Sequence, residues 1–162
     1  MKTVLWVTGE PGSGKSCLAR ELGKDHGFDV LSVDKAYVEF VQEECPMLFF
    51  EALCKYIAPH YLHILSKLDW SEKHFNGRDF VTEWHEYLFP RIEELATQKD
   101  RVVVEGYLLK HCNDYLKDLR EKLQGRVQIF HIQVAEQEYS YEGRKLTVEQ
   151  IAKLGSNAPP EA

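Results

Sequence analysis

The chain has 162 residues, of which 44% are apolar and 28% charged, and its formal net charge at neutral pH is −6. This length suffices for one domain with a single core, which buries about 70% of the surface of the unfolded chain. No apolar run approaches the roughly 18 residues of a membrane span, and the acidic balance argues against broad contact with nucleic acid, which needs a basic face.

The first predicted element is a strand from Thr3 to Thr8, which follows Met1 and Lys2 directly. Because this start does not show the apolar core and cleavage site of a signal peptide, we expect a cytoplasmic protein. A glycine-rich stretch, GEPGSGKS, follows the strand and precedes a helical pattern that starts near Cys17. The stretch matches the pattern G-x-x-x-x-G-K-[ST].

This pattern is typical of a loop that binds nucleotide phosphates. Glycines let successive main-chain N–H groups turn inward around a phosphate, and the helix that follows directs its positive end at the same anion. Lys15 then reaches the β- and γ-phosphates, and the hydroxyl of Ser16 binds Mg²⁺. A glycine-rich turn that caps a helix is the alternative. The predicted cofactor-binding residues are Gly9, Glu10, Pro11, Gly12, Ser13, Gly14, Lys15, Ser16 and Cys17.

The second predicted strand, Val30 to Val33, ends at Asp34. In a parallel sheet of order 2-3-1-4, the end of this strand lies at the same edge as the glycine-rich loop. We therefore predict that the carboxylate of Asp34 orients an acceptor hydroxyl for attack on the γ-phosphate. The alternative is that Asp34 only caps the helix that starts near Ala36.

A long insertion, residues 35–100, separates the second and third strands and is predicted to contain several helices. Pro46, Pro59 and Pro90 are predicted to interrupt these helices. Twelve of the nineteen aromatic residues lie between Lys35 and Pro90, so the insertion is expected to form an aromatic cluster that either packs a core or faces a ligand. Arg78 is a candidate for holding an anionic acceptor, or else a solvated surface charge.

The third predicted strand, Arg101 to Glu105, ends beside the same loop. Glu105 is predicted to hold Mg²⁺ through water or to position the acceptor, with a capping role as the alternative. Gly106 would allow a ligand to approach the main chain closely. A helix, roughly His111 to Leu123, and a fourth strand, Val127 to Val134, complete an alternation of strands and helices that predicts a parallel sheet.

Residues 135–147 are predicted to form either a tight hairpin that turns at Glu142-Gly143 or a mobile loop with a basic tip. Thr147-Val148-Glu149-Gln150 matches a capping box and predicts a helix that ends near Leu154. We expect one domain over residues 1–154 and a flexible tail over residues 155–162.

The glycine-rich loop, Asp34 and Val104-Glu105-Gly106 resemble the small P-loop kinases, a family that includes shikimate kinase, gluconate kinase, chloramphenicol phosphotransferase and the nucleoside monophosphate kinases. The resemblance implies a three-layer α/β fold, a parallel sheet of order 2-3-1-4-5, ATP as donor and an arginine-bearing lid after the fourth strand. Arg144 falls where that lid is expected. A fifth strand is not evident, so either the segment from Tyr139 to Leu146 replaces it or the chain is a minimal member.

These features predict an ATP- and Mg²⁺-dependent phosphotransferase that moves the γ-phosphoryl group to a hydroxyl or phosphate of a small molecule. Lys15, Asp34 and Arg144 are the predicted catalytic residues. The single lid arginine leaves open a nucleotide-binding regulatory module without catalysis. A kinase for nucleic-acid ends is disfavoured by the acidic charge. The identity of the acceptor stays open, as does the choice between ATP and GTP.

Overall fold

A computed structural model of the chain describes residues 1–44 and 80–156. The chain divides into two compact units, one formed by Met1–Val33 with Ile92–Ala162 and the other by Asp34–Arg91. Of the residues predicted from sequence, Arg78, Pro46 and Pro59 lie outside the described ranges.

The described elements alternate between strands and helices over most of the chain. The strands are β1 (Lys2–Gly9), β2 (Asp29–Ser32), β3 (Arg101–Glu105), β4 (Val127–Ala135), β5 (Glu138–Tyr141) and β6 (Arg144–Leu146). The helices are α1 (Lys15–His26), α2 (Val33–Glu44), α3 (Phe80–Gln98), α4 (Asn113–Lys122) and α5 (Val148–Ala152), with a 3₁₀-helix over Tyr107–His111. Within the ranges that the structure describes, no helix is both long enough and apolar enough to cross a membrane.

The six strands form one sheet of order β2-β3-β1-β4-β5-β6. The first four are parallel, in the predicted order 2-3-1-4. Of the two alternatives predicted for residues 135–147, the hairpin that turns at Glu142-Gly143 is confirmed, and its antiparallel strands β5 and β6 stand where the family resemblance implies a fifth parallel strand. The second strand also ends earlier than predicted, so that Val33 and Asp34 belong to α2.

Both faces of β1 are buried, which explains its continuous apolar sequence. Leu5 and Val7 belong to a core that includes Leu18 and Leu22 of α1 and Ile151 of α5. Val4 and Trp6 point to the opposite face and are also fully buried, and the Trp6 ring lies 6.5 Å from the Tyr115 ring of α4. The sheet of this unit therefore lies between two helical layers.

Two local predictions have different outcomes. The capping box at the start of α5 is confirmed, since the Gln150 N–H donates to Thr147 Oγ1 at 3.2 Å and the Thr147 N–H donates to Gln150 Oε1 at 2.9 Å. Pro90 was expected to interrupt a helix, but α3 continues through it. An interior proline costs a helix about 3 kcal/mol. The burial of Leu88 and Ile92 on either side, worth about 1.5–3 kcal/mol each, offsets that cost.

The unit of residues 34–91 contains an aromatic cluster formed by Tyr37, Phe40, Trp84 and Tyr87. The Trp84 ring lies 5.1 Å from Tyr37 in an edge-to-face arrangement and 5.5 Å from Phe40. The Tyr87 ring lies 5.2 Å from Phe40, and the Arg91 guanidinium lies 3.8 Å from its centre. Tyr37, Phe40 and Trp84 are buried, so these rings pack a core rather than face an open pocket.

Arg101, the first residue of β3, joins the ends of two helices. Its Nη1 group donates to the carbonyl of His26 at 3.0 Å and its Nη2 group donates to the carbonyl of Ala152, which are the last residues of α1 and α5. Its guanidinium also lies 4.1 Å from the centre of the Phe28 ring. Burial lowers the pKa of Arg101, but the carbonyl groups at the negative ends of the two helices compensate the positive charge.

Replacing Arg101 with methionine should lower the free energy of unfolding by about 2–3 kcal/mol, because two helix-terminal carbonyls lose a charged donor. Urea denaturation monitored by circular dichroism measures the change. The matched control is Arg126→Met at an exposed position, where we expect a change within about 0.5 kcal/mol. Equal stability of the two variants would show that Arg101 does not hold the helix ends.

Candidate phosphate-binding site

The glycine-rich loop, residues 10–14, connects the end of β1 to the start of α1. Because β1 pairs in parallel with β3 and β4, the carboxyl ends of all three strands meet at one edge of the sheet. Val7 lies opposite Glu105, and Gly9 lies opposite Val134. The loop therefore leaves the sheet between the ends of two neighbouring strands, where open α/β sheets bind their ligands.

Two glycines allow the loop to take its shape. Gly14 precedes α1 with φ +109°, a conformation that residues with a side chain rarely adopt. A Cβ atom on Gly9 would lie 2.5 Å from both Ser13 Oγ and the carbonyl oxygen of Val134, so only glycine lets the loop fold back this closely. The Ser13 N–H donates to the carbonyl of Glu10 at 3.1 Å and closes the turn.

The start of α1 presents hydrogen-bond donors to the loop. The first main-chain bond of the helix runs from the Leu18 N–H to the carbonyl of Gly14 at 3.1 Å. Within residues 1–44 and 80–156, the N–H groups of Lys15, Ser16 and Cys17 donate to no main-chain carbonyl, and no side chain caps the helix. These donors, together with the positive end of the helix, favour an anion in the loop.

Lys15 adds a positive charge inside the same loop. The residue is only 5% exposed, and its Nζ group donates to the carbonyl of Glu10 at 3.3 Å. Among the described residues no carboxylate lies within ion-pair distance of it. The Ser13 hydroxyl is also buried, with no hydrogen-bond partner in the described part of the chain. A buried ammonium group strongly favours a bound anion, because burial without a counter-charge is costly.

Glu105 and Gly106 lie at the end of β3, as the sequence predicts. Glu105 is 4% exposed and pairs in register with Val7 on one side and with Ser32 on the other. Gly106 has φ +157° and ψ +153°, a region open mainly to glycine, and its N–H donates to the carbonyl of Val7 at 3.3 Å. The structure therefore places the Glu105 carboxylate at the same sheet edge as the phosphate loop.

The described residues contain no group of three or more His, Cys, Asp or Glu side chains that could hold a metal ion. Ser16, which is exposed in the first turn of α1, and Glu105, at the end of β3, are the predicted Mg²⁺ ligands, and this role stays a prediction.

Asp34 is the second residue of α2, where its half-buried carboxylate lies in the first turn. It follows two residues after Ser32, which pairs with Glu105. Since Asp34 belongs to the other compact unit, its approach to the phosphate loop stays a prediction. A carboxylate in the first turn of a helix also stabilises that helix, so the capping alternative remains open as well.

Arg144 lies away from the phosphate loop. It is the exposed first residue of β6, opposite Tyr141, and two strands, β4 and β5, separate β6 from β1. Residues 135–147, predicted to form either a lid or a hairpin, form a hairpin that continues the sheet. The structure thus brings together the loop residues and Glu105 but does not bring Arg144 to them, and its catalytic role stays a prediction.

Gln137 is a contact of the loop that sequence reasoning missed. It lies in the turn between β4 and β5, where its N–H donates to the carbonyl of Ser13 at 2.8 Å and its Nε2 group donates to the carbonyl of Gly12 at 3.2 Å. No motif marks this residue, since Glu136-Gln137 carries neither the glycine nor the asparagine that usually indicates a two-residue turn.

A cavity of about 990 Å³ opens at the opposite edge of the sheet, where β1, β3 and β4 begin. Lys2, Arg101 and Val127, at or near the first residues of these strands, are among its lining residues. None of residues 9–17 lines it, so the cavity is separate from the candidate phosphate site.

The strand order and the glycine-rich loop define an α/β protein with a P-loop kinase-like fold.

No protein-family model and no curated protein matches the sequence. Two solved structures are similar in fold. TT1252 from Thermus thermophilus is 20% identical with a TM-score of 0.44, and the match covers 83% of this chain and 65% of that one. A gluconokinase from Sinorhizobium meliloti 1021 is 18% identical with a TM-score of 0.42, and the match covers 80% and 56%. The match thus spans less than two thirds of either of those two chains.

A half-buried polar pair lies directly before the loop. The Oγ1 atom of Thr8 lies 2.7 Å from the Nε2 atom of His131 on β4. Burial lowers the pKa of His131, and the positive charge of Arg120 lowers it further. The folded protein therefore favours the neutral imidazole, so His131 contributes stability that is present above the unfolded pKa, about 6.5, and is lost as the pH falls from there through the lower pKa of the folded protein.

Replacing His131 with glutamine should flatten the fall in stability between pH 7.5 and pH 5, because the variant has no imidazole to protonate on unfolding. Melting temperatures of both proteins across this range measure the effect. His111→Gln serves as the control, since His111 is exposed, and this variant should follow the wild-type slope. An unchanged slope in His131→Gln would contradict the prediction.

Proposed function

We propose that this chain is an ATP-dependent phosphotransferase that moves the γ-phosphoryl group to a small-molecule acceptor. The observation that carries the proposal is the cradle formed by the buried ammonium of Lys15 and the N–H groups at the start of α1, which donate to no main-chain carbonyl of the described residues. Both belong to a loop in which a Cβ atom on Gly12 would meet no atom of the described residues within 4 Å. Donors held in place around an anion site bind phosphate without reorganisation during the reaction.

The residues around the loop fit a nucleotide with its magnesium ion. The N–H groups of residues 15–17 and the Lys15 ammonium would hold the β- and γ-phosphates. The Ser16 hydroxyl and the Glu105 carboxylate would hold Mg²⁺, directly or through water. When bound, Mg²⁺ would neutralise negative charge on the phosphate oxygens.

The transfer needs an oriented acceptor as well as a bound donor. In the proposed reaction the acceptor oxygen forms a bond to the γ-phosphorus, the bond from that phosphorus to the β-γ bridging oxygen breaks, and ADP leaves. The acceptor proton passes to the carboxylate of Asp34, which first orients the hydroxyl. Glu105 and Gly106 would position the acceptor from the neighbouring strand end, and Arg144 would neutralise the transferring group only if the hairpin moved toward the loop.

One observation favours a second function, a nucleotide-binding regulatory module without phosphoryl transfer. Arg144, the arginine expected in the lid, lies in the outermost strand of the sheet, on the far side of β5 from β4. In this arrangement Arg144 does not lie over the loop. The two functions share nucleotide binding and differ in acceptor-dependent turnover.

The first experiment measures ADP release from ATP and Mg²⁺ with and without a pooled panel of nucleoside monophosphates, sugars, sugar acids, aminoglycosides and phenolic alcohols. Acceptor-dependent ADP release would support the phosphotransferase. Nucleotide binding without any acceptor-dependent release would favour the regulatory module. If ATP and ADP do not bind at all, both functions fail.

Lys15→Met should lower acceptor-dependent ADP release by roughly 10²–10³-fold, because the variant keeps the length of the side chain but removes the charge on the phosphates. A coupled assay for ADP measures the loss. Lys24→Met, at the exposed end of the same helix, is the matched control and should retain wild-type turnover. Turnover of Lys15→Met within about threefold of wild type would rule out the phosphate cradle.

Asp34→Asn should lower kcat by roughly 10²–10⁴-fold while the KM for ATP changes little, because the amide cannot accept the proton of the acceptor. Steady-state kinetics with saturating acceptor separate the two constants. Glu39→Gln, an exposed position on the same helix, is the control and should change neither. Equal losses in kcat and in ATP affinity, with a lower melting temperature, would assign Asp34 to helix capping.

A further inference from the structure

We infer that Gln137 is a positioning residue that holds the phosphate loop in its binding conformation from outside. The inference rests on the proposed function, since it concerns how the same loop binds phosphate. Gln137 would touch neither the nucleotide nor the acceptor. It acts on the main chain of the loop, through two hydrogen bonds and one close contact.

The turn that carries Gln137 lies beside the loop because of the register of the sheet. Gly9 pairs with Val134, and Ala135 pairs with Glu138 across the hairpin. Glu136 and Gln137, which lie between Ala135 and Glu138, therefore form the turn of this hairpin. The turn lies beside the end of β1, where the loop begins. The turn is held there by the ladder between β1 and β4.

Both turn residues adopt a backbone conformation that is unusual for them. Glu136 has φ +50° and Gln137 has φ +64°, values that two-residue hairpin turns require and that glycine and asparagine fill most easily. Residues with longer side chains keep this conformation only where their surroundings determine it, and such positions are concentrated at functional sites. The ladder between β4 and β5 fixes both residues here, and Gln137 is also held by its contacts with the loop.

The hydrogen bonds of Gln137 orient two successive peptide groups of the loop. Across a trans peptide bond the carbonyl and the following N–H point in opposite directions, and the described residues contain no cis peptide bond. The Gln137 N–H holds the carbonyl of Ser13, so the N–H of Gly14 points away from the hairpin. The Gln137 Nε2 group holds the carbonyl of Gly12, and the N–H of Ser13 then points to Glu10 within the loop.

The side chain of Gln137 also occupies the space beside Gly14. A Cβ atom on Gly14 would lie 2.5 Å from the Oε1 atom of Gln137 and 3.0 Å from its Cδ atom. The side-chain amide therefore packs against the residue that begins the turn into α1. With the carbonyl of Ser13 held on this outer side, the N–H of Gly14 remains directed at the proposed phosphate position.

The test compares two variants of Gln137 with a control in the same turn. Gln137→Asn keeps a residue that tolerates positive φ but is one methylene too short to reach the carbonyl of Gly12. Gln137→Glu keeps the length but places a carboxylate oxygen where the donor was. The control is Glu136→Gln, because Glu136 is exposed and its charge-neutral variant leaves both loop bonds in place.

The measurement is the Kd of ADP and of inorganic pyrophosphate, each with Mg²⁺, by titration calorimetry. We expect Gln137→Asn to raise the Kd of both ligands about 3- to 10-fold, which is the effect of losing one hydrogen bond. The factor should be the same for both ligands, because the loop would hold only their phosphates. Gln137→Glu should weaken them more, whereas Glu136→Gln should bind as tightly as wild type or tighter. Without ligand, the melting temperatures of the variants should stay within about 2 °C of the wild-type value. A residue that only stabilised the fold would lower the melting temperature by more.

The outcomes separate this inference from the proposed function. If the wild-type protein binds neither ADP nor pyrophosphate, the proposed function itself is wrong, and the role of Gln137 falls with it. If wild type binds and Gln137→Asn binds equally well, only the role of Gln137 is overturned. Equal weakening in Glu136→Gln would also overturn it, because the effect would then come from any change in the turn.

Discussion

Parallel hydrogen bonding of β1 to both β3 and β4 is the constraint on which the candidate site depends. Parallel neighbours end at the same edge of a sheet, so the end of β1 at Gly9 meets Glu105 on one side and Val134 on the other. An antiparallel neighbour would carry its last residue to the opposite edge. The direction of two strands therefore decides that a glycine-rich loop, a carboxylate and a hairpin turn lie together.

The positive character of the site is local. The chain as a whole carries a net charge of −6, so its general field does not attract anions. Attraction comes instead from the donors at the start of α1 and from Lys15, which is buried at the same place. Burial strengthens this attraction, because a charge shielded from water is screened less than a charge on the surface. An acidic protein can in this way contain a specific phosphate site.

The β5–β6 hairpin distinguishes this chain from the arrangement that the family resemblance implies. It covers the edge of β4, which would otherwise expose unpaired main-chain groups. The same hairpin contacts the phosphate loop through Gln137 and carries Arg144 to the outer edge of the sheet. In the proposed function the hairpin would thereby support phosphate binding, whereas Arg144 does not lie beside the loop in this arrangement.

Features set by neighbouring residues were predictable from the sequence alone: the four strands of the parallel sheet, the glycine-rich loop, and the capping box at Thr147. Short apolar runs and glycine positions determine these features without reference to distant residues. The strand order 2-3-1-4 was expected only from the resemblance to the small P-loop kinases. Only the tertiary structure decided the contact of Gln137 with Gly12, because 125 residues separate them. It also decided that α3 continues through Pro90, since burial on both sides outweighs the lost hydrogen bond. Such features depend on which distant side chains become neighbours when the sheet forms, and local sequence patterns do not predict those contacts.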